Sequence, residues 1–399
     1  MLPRVKIDFS NGALGQVSAS ADGVIGVLFT GVPVVGKFVL NTFYKITKFA
    51  DITDTLGMTL ANNPGAYKLF TELFNQSGDG VEVWLCGFPD TATMTTMLTL
   101  ATANGVQNML IAANGKIRTV IVNRTPAVGY VATVTNGIDQ DVYTAAAQAQ
   151  ITAAWASDTL KAPILVLIAG LYYSGIPANL TDLTTLTDNR VGIMLGDTAS
   201  GNGCAIGILA GKLAKAPVQR NIGRVKDGSV LGVVSAYHAA ILIERSDVAS
   251  VHDKGFITLR THVGRTGYYF NDDPLAAPVT DDYNHITARR TVDKAYRIAY
   301  DTLINELLDE VPVTDQGKIS VAFAKSLENK VESAVINSMT ANGELGNDTG
   351  NQKDTGVKCF VNYDQNIVAT GAVNITLKVK PYGYARYITV QLGFKTLTA

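Results

Sequence analysis

Both ends of the chain alternate between apolar and polar positions. Near the start Val5, Ile7 and Phe9 alternate with Arg4, Lys6, Asp8 and Ser10, and near the end Ile388, Val390, Leu392 and Phe394 alternate with Thr389, Gln391 and Lys395. A two-residue period marks a half-buried strand. Neither end has an obvious local partner, and an unpaired amphipathic strand invites pairing with another chain. With three or four apolar side chains per arm, a strand donated to a neighbouring subunit contributes roughly 5–10 kcal/mol before its ordering entropy is charged. The pattern therefore predicts inter-subunit arms, residues 1–20 and 385–399, that join copies by strand exchange. The alternative is that the two strands pair with each other inside one subunit.

Between the arms, apolar runs of strand length alternate with helical periodicity. Residues 23–30, 81–87, 118–123, 162–170, 190–196 and 232–236 read as strands, whereas 51–60, 67–74 and 204–214 read as a helix start and helices. This alternation predicts an α/β domain with a mostly parallel or mixed sheet over residues 21–265. The Thr-, Ala-, Asn- and Gln-rich stretch 91–160 is expected to decorate it as an insertion. A turn-rich segment, 266–282, marks a domain boundary. After it, Val292, Tyr296, Ala299, Leu303 and Leu307 recur at helical spacing, with Arg289, Arg290, Asp293, Lys294, Arg297 and Asp301 largely on the opposite face. A second helix is predicted over 318–339, with Phe323, Leu327, Val331, Ala334 and Val335 as its apolar side. A polar loop, 342–356, and strands at 358–363 and 373–380 follow. Residues 266–384 thus read as an α+β domain of two helices and a small sheet whose edge can receive a foreign strand.

Composition narrows the function. Charged residues make up 17% of the 399 and hydrophobic residues 47%, so the surface is poor in charge, as it is in a subunit largely covered by other subunits or in a large enzyme oligomer. A formal net charge of −1 and the lack of a basic run argue against nucleic-acid contact. The first 15 residues alternate and form no secretory signal, and the longest apolar run, 162–170, is too short to cross a membrane. No membrane insertion is expected. Cys86, Cys204 and Cys359 are widely separated, which fits neither a disulfide framework nor a zinc site.

Candidate chemistry is sparse. Gly201-x-Gly203-x-x-x-Gly207, between a strand and a helix, has the context of a dinucleotide-binding turn, with Asp227 near the place of a ribose-binding acid. The alternative is a small-residue helix packed closely on its neighbours. His238, His252, His262 and His285 show no metal-ligand spacing, and Asp272-Asp273 and Asp281-Asp282 favour turn or N-cap roles. No catalytic residue, metal site or cofactor is assigned, and no enzymatic activity is expected. Lys325, Glu328, Lys330 and Glu332 form a charged helix face available to a partner, or a solvated face with ordinary i,i+4 pairs.

The order of motifs from residue 200 onward resembles that of contractile tail sheath proteins of phages and related injection machines. Ser200-Gly201, the helix Ala205-Ile206-Gly207-Ile208-Leu209-Ala210, Ala216-Pro217 with Asn221, and the strand 254–261 ending in Arg260-Thr261 follow the sheath order. So do Asp282 to Arg290, which lead an arginine pair into a long helix, and the closing helix, paired strands and 388–394 arm. The resemblance implies a structural subunit that polymerises helically around an inner tail tube protein and contracts to drive the tube through a target envelope. Its partners would be other copies of itself, the tube, and baseplate and tail terminator proteins. It would be assembled in the bacterial cytoplasm and located in a virion tail or injection particle. The tube contact would fall on the C-terminal domain, at Lys325, Glu328, Lys330 and Glu332. The alternatives are another tail or baseplate structural protein and a nucleotide-binding oxidoreductase.

Overall fold

The computed structural model describes residues 22–348, 350, 351 and 353–392. The predicted arm residues Val5, Ile7, Phe9 and Phe394 lie outside them. The chain forms two compact units, one up to Tyr300 and the other from Asp301.

The N-terminal unit is built on a six-stranded sheet. Its strands are β1 (Ile25–Thr30), β2 (Phe43–Ile46), β3 (Val83–Phe88), β4 (Thr119–Val122), β7 (Leu165–Ala169) and β8 (Val191–Met194). A small hairpin, β5 (Val134–Thr135) with β6 (Ile138–Asp139), lies between β4 and β7. The sheet order is β2-β3-β1-β4-β7-β8, parallel throughout except for the antiparallel edge strand β2. Every residue of β1, β4, β7 and β8 is buried, the signature of a sheet covered on both faces. The unit's helices include α1 (Pro64–Ser77), α2 (Met94–Leu98), α3 (Val106–Ala112), α4 (Gln140–Asp158), α5 (Ile206–Lys215) and α6 (Val248–Asp253). On β1, Phe29 meets Phe70 of α1 edge-on at 5.4 Å, while the position of Gly26 is closed by Met109 of α3. Residues 26 and 29 differ by an odd step, so α1 and α3 cover opposite faces. Short antiparallel ladders, β9 (Tyr237–His238) with β10 (Ile241–Leu242) and β11 (Leu259–Arg260) with β12 (Tyr269–Phe270), complete the unit.

Several expectations change here. The stretch 91–160 is no decoration: it supplies β4, the strand between β1 and β7, and α4, which packs on β7 and β8. Its Thr- and Ala-rich composition reflects a helix whose buried side is mostly alanine, Ala145, Ala146, Ala149, Ala153 and Ala156. The expected helix at 51–60 is a single π-type turn, Asp51–Thr55, and 232–236 forms no strand. The helix α7 (Ile286–Leu303) buries its charged side. Arg190 donates to both carboxylate oxygens of Asp293, at 2.9 and 3.2 Å, and Arg289 adds a bond at 2.9 Å. Arg290, 5% exposed, donates to the carbonyls of Leu213 and Ala216, while Tyr296 of the apolar stripe remains exposed. Ion pairing and carbonyl acceptors overturn the apolar-in expectation. They also tie the first part of α7 to the N-terminal unit, so the compact units divide after Tyr300.

The C-terminal unit holds α8 (Val321–Val335), which ends in a π-type turn Ile336–Thr340, the strands β13 (Val357–Val361) and β14 (Ile375–Val379), and the one-turn helix α9 (Ile367–Thr370) between them. Its small core joins Ile319, Ala324, Leu327 and Val361. Among the described residues no helix is long and apolar enough to cross a membrane.

Candidate functional site: a two-stranded sheet with one closed and one open edge

β13 and β14 pair antiparallel, Val357 opposite Val379 and Val361 opposite Ile375. Bonds from Lys380 N–H to the Gly356 carbonyl (2.8 Å) and from Asn362 N–H to the Asn374 carbonyl (3.1 Å) fix which residues face the partner strand. Alternation then turns the amides of Cys359 and Val361 away from β14, and those of Ile375, Leu377 and Val379 away from β13.

The two outward edges end differently. On the β13 side, Cys359 N–H donates to Glu332 Oε1 at 2.7 Å and Val361 N–H to Glu328 Oε1 at 3.0 Å. Four residues of helix rise about 6 Å and two residues of strand about 6.6 Å, so glutamates at i and i+4 match alternate strand amides. Burial opposes ionisation of Glu328, yet Lys325 at 2.6 Å and the Val361 amide hold its carboxyl below the usual range. Lys358 bonds Glu332 at 2.9 Å, which holds the lysine above its ordinary value. On the β14 side, no acceptor for the amides of Ile375, Leu377 and Val379 is found among the described residues. Their side chains are half-buried, whereas Thr376 and Lys378 are exposed. This edge offers a strand's worth of donors and acceptors beside a partly apolar face.

The structure places the predicted site residues as follows. Ile388, Val390 and Leu392 are exposed and, among the described residues, belong to no strand. Lys325 and Lys330 keep side-chain exposures of 55% and 53%, Lys330 pairing with Glu306. Glu328 and Glu332 turn inward to the sheet, which removes Glu328 from the solvated face expected of it. The spacing that could have revealed this, glutamates at i,i+4 above an alternating strand, was present but equally compatible with surface ion pairs.

The glycine turn resolves into helix packing. A Cβ on Gly207 would lie 2.3 Å from the Leu69 carbonyl oxygen, and one on Gly211 2.1 Å from that of Leu73. The glycines of α5 let α1 approach backbone to backbone, and Gly203 sits against the Asp197 carboxylate. Asp227 pairs with Arg220 and Arg224 at 2.9 and 2.6 Å. Asp273 accepts from the Thr287 amide at 2.8 Å at the start of α7, and Asp281 from the Tyr283 amide at 2.7 Å. His238 is buried against Thr258 at 2.6 Å, and burial pushes its pKa down to about 4. His285 lies 3.2 Å from Asp273. The cysteines are all buried.

Comparison with solved structures defines the fold. The chain shares its fold along nearly its whole length with a chain of the anti-feeding prophage baseplate, at 16% identity, TM-score 0.64 and 99% coverage of both chains. A chain of the extracellular contractile injection system PVC sheath complex in its contracted state matches at 12% identity and TM-score 0.61, covering 99% of this chain and 98% of that one. The sheath tail protein of Desulfitobacterium hafniense matches at 10% identity and TM-score 0.51, covering 90% and 94%. The architecture is that of components of contractile injection assemblies. Within it, the chain belongs to the DUF2586 family: residues 2–274 match the N-terminal domain and 282–398 the C-terminal domain. No curated protein matches the sequence.

Proposed function

We propose that the chain is a structural, non-enzymatic subunit of a contractile tail sheath, polymerising helically around an inner tube by laying terminal arms of neighbouring copies along the β14 edge. The observation that carries this reading is the open edge of a sheet whose other edge is closed by Glu328 and Glu332. Addition of a strand there satisfies three outward amides and covers Ile375, Leu377 and Val379. The exposed alternation Ile388, Val390, Leu392 is of the right kind to be donated. In this reading the C-terminal unit faces the tube, with Lys325 and Lys330 as contacts. Contraction then needs no nucleotide: subunit bodies move to bury new lateral surface while exchanged strands keep the lattice connected.

The test is negative-stain electron microscopy of the full chain beside a version lacking residues 1–12. Hollow sleeves from the first and none from the second are expected; discrete small oligomers in both would defeat the reading. A second reading, a baseplate component, draws on the likeness to a chain of the anti-feeding prophage baseplate. Closed rings of fixed size, lost on the same deletion, would favour it.

A further inference from the structure

The carboxyl ends of β4, β7 and β8 open into a cleft of about 230 Å³, whose lining includes Gly65, Lys68, Asn123, Arg124, Tyr172 and Asn202. The sheet order puts it next to the point where the strand order reverses, since β3 follows β1 on one side and β4 lies on the other. Open parallel sheets bind ligands at such crevices.

Arg124, two residues past β4, points to the ligand. It is 6% exposed, and its Nε and Nη1 have no hydrogen-bond partner. The nearest carboxylate, Asp141, stands 3.8 Å away and is committed elsewhere, accepting from the Met94 and Thr95 amides at 2.7 and 3.1 Å at the start of α2. A buried guanidinium with unmet donors is costly, and a ligand oxyanion relieves that cost. The start of α1 adds a second set of donors. Its N-cap residue Asn63 makes no capping bond, because its side chain is bonded to the Val32 backbone at 2.7 and 2.9 Å. Gly65, in the first turn of this 14-residue helix, lines the cleft. An uncapped helix start favours an anion. Two carboxylates, Glu72 and Asp197, also line the cleft, and both are engaged by Lys68, so the unmet donors are those of Arg124 and α1.

We propose that this cleft binds a phosphate group, either free or as the phosphoryl end of a small metabolite. The Tyr130 ring lies 4.3 Å over the Arg124 guanidinium and 5.7 Å from the Tyr172 ring, forming a cover on the donors. Binding displaces that cover through the 126–135 segment, in which Gly129 takes φ 84° between the exposed Val128 and Val131. The site lies wholly in the N-terminal unit and does not depend on the sheath reading.

Isothermal titration calorimetry of the full chain with inorganic phosphate, and then with ribose 5-phosphate, tests it against a sodium chloride control. Saturable binding is expected, weakened about tenfold or more by Arg124→Gln and about fivefold by Asn202→Asp on the exposed rim. The tighter probe identifies the free or esterified source. Should Arg124→Gln not fold, Asn202→Asp carries the same comparison. No saturable binding of either probe, unchanged affinity in the folded variants, or equally tight binding of acetate would each overturn the proposal.

Discussion

The two sheets of this protein solve the same problem in opposite ways. In the N-terminal unit β1, β4, β7 and β8 are buried throughout. In the C-terminal unit a pair of strands has one edge sealed by carboxylates and the other left unmet. The first sheet is covered within one chain; the second leaves its β14 edge without an acceptor among the described residues. Under the proposed function, stability and association fall to different units, and mutations should separate them.

The largest expected effect comes from breaking the N-terminal unit's buried ion pair. Asp293→Ala leaves Arg190 buried without its carboxylate and should cost about 3–5 kcal/mol, read by urea unfolding. Gly211→Val drives a side chain into the Leu73 carbonyl on α1 and should cost about 3 kcal/mol, read the same way. Leu377→Pro should do the reverse. It removes an outward amide that the single chain leaves unpaired, so monomer stability should change by no more than about 1 kcal/mol while polymerisation seen by light scattering is lost. Polymers from this variant would show that the β14 edge is not the acceptor.

The smallest effects concern two glutamates with opposite pH signs. Burial, opposed by Lys68, raises Glu72 in the N-terminal unit to about 7. A carboxyl raised above its unfolded value costs the native state more as pH climbs from about 4.5 to about 7, so Glu72→Gln should gain stability relative to the parent between pH 5 and pH 8. Glu328 is held below its unfolded value, with burial outweighed by Lys325 and the Val361 amide. Its contribution is present above the unfolded pKa and lost as pH falls through the lower folded one. Glu328→Gln should therefore be less stable than the parent at pH 7 by about 1 kcal/mol, with the gap closing toward pH 3. Parallel pH profiles for the two variants would contradict the distinction.

Much of the architecture was legible. The strands β1, β3, β4, β7 and β8 announce themselves because buried parallel strands are short apolar runs between polar turns. The strand predicted over 373–380 is β14. The role of 91–160 was hidden because an alanine-lined helix packs as well as a leucine-lined one yet reads as low in hydrophobicity. The buried side of α7 was hidden because periodicity scores apolar side chains and is blind to arginine–aspartate pairs such as Arg190 and Asp293, which lie 103 residues apart. Arg124 carried no signal, since its unmet donors exist only once β4, α2 and α4 are assembled.

The sealed β13 edge has a consequence for how copies add up. A strand pair with two open edges has a valence of two, and chains joined through it can branch. With Glu328 and Glu332 occupying one side, the strand addition proposed above would proceed outward from β14 alone. In that proposal a subunit with a single acceptor side propagates connections in one sense, and the network it builds is ordered by the chain's own direction rather than by chance encounter.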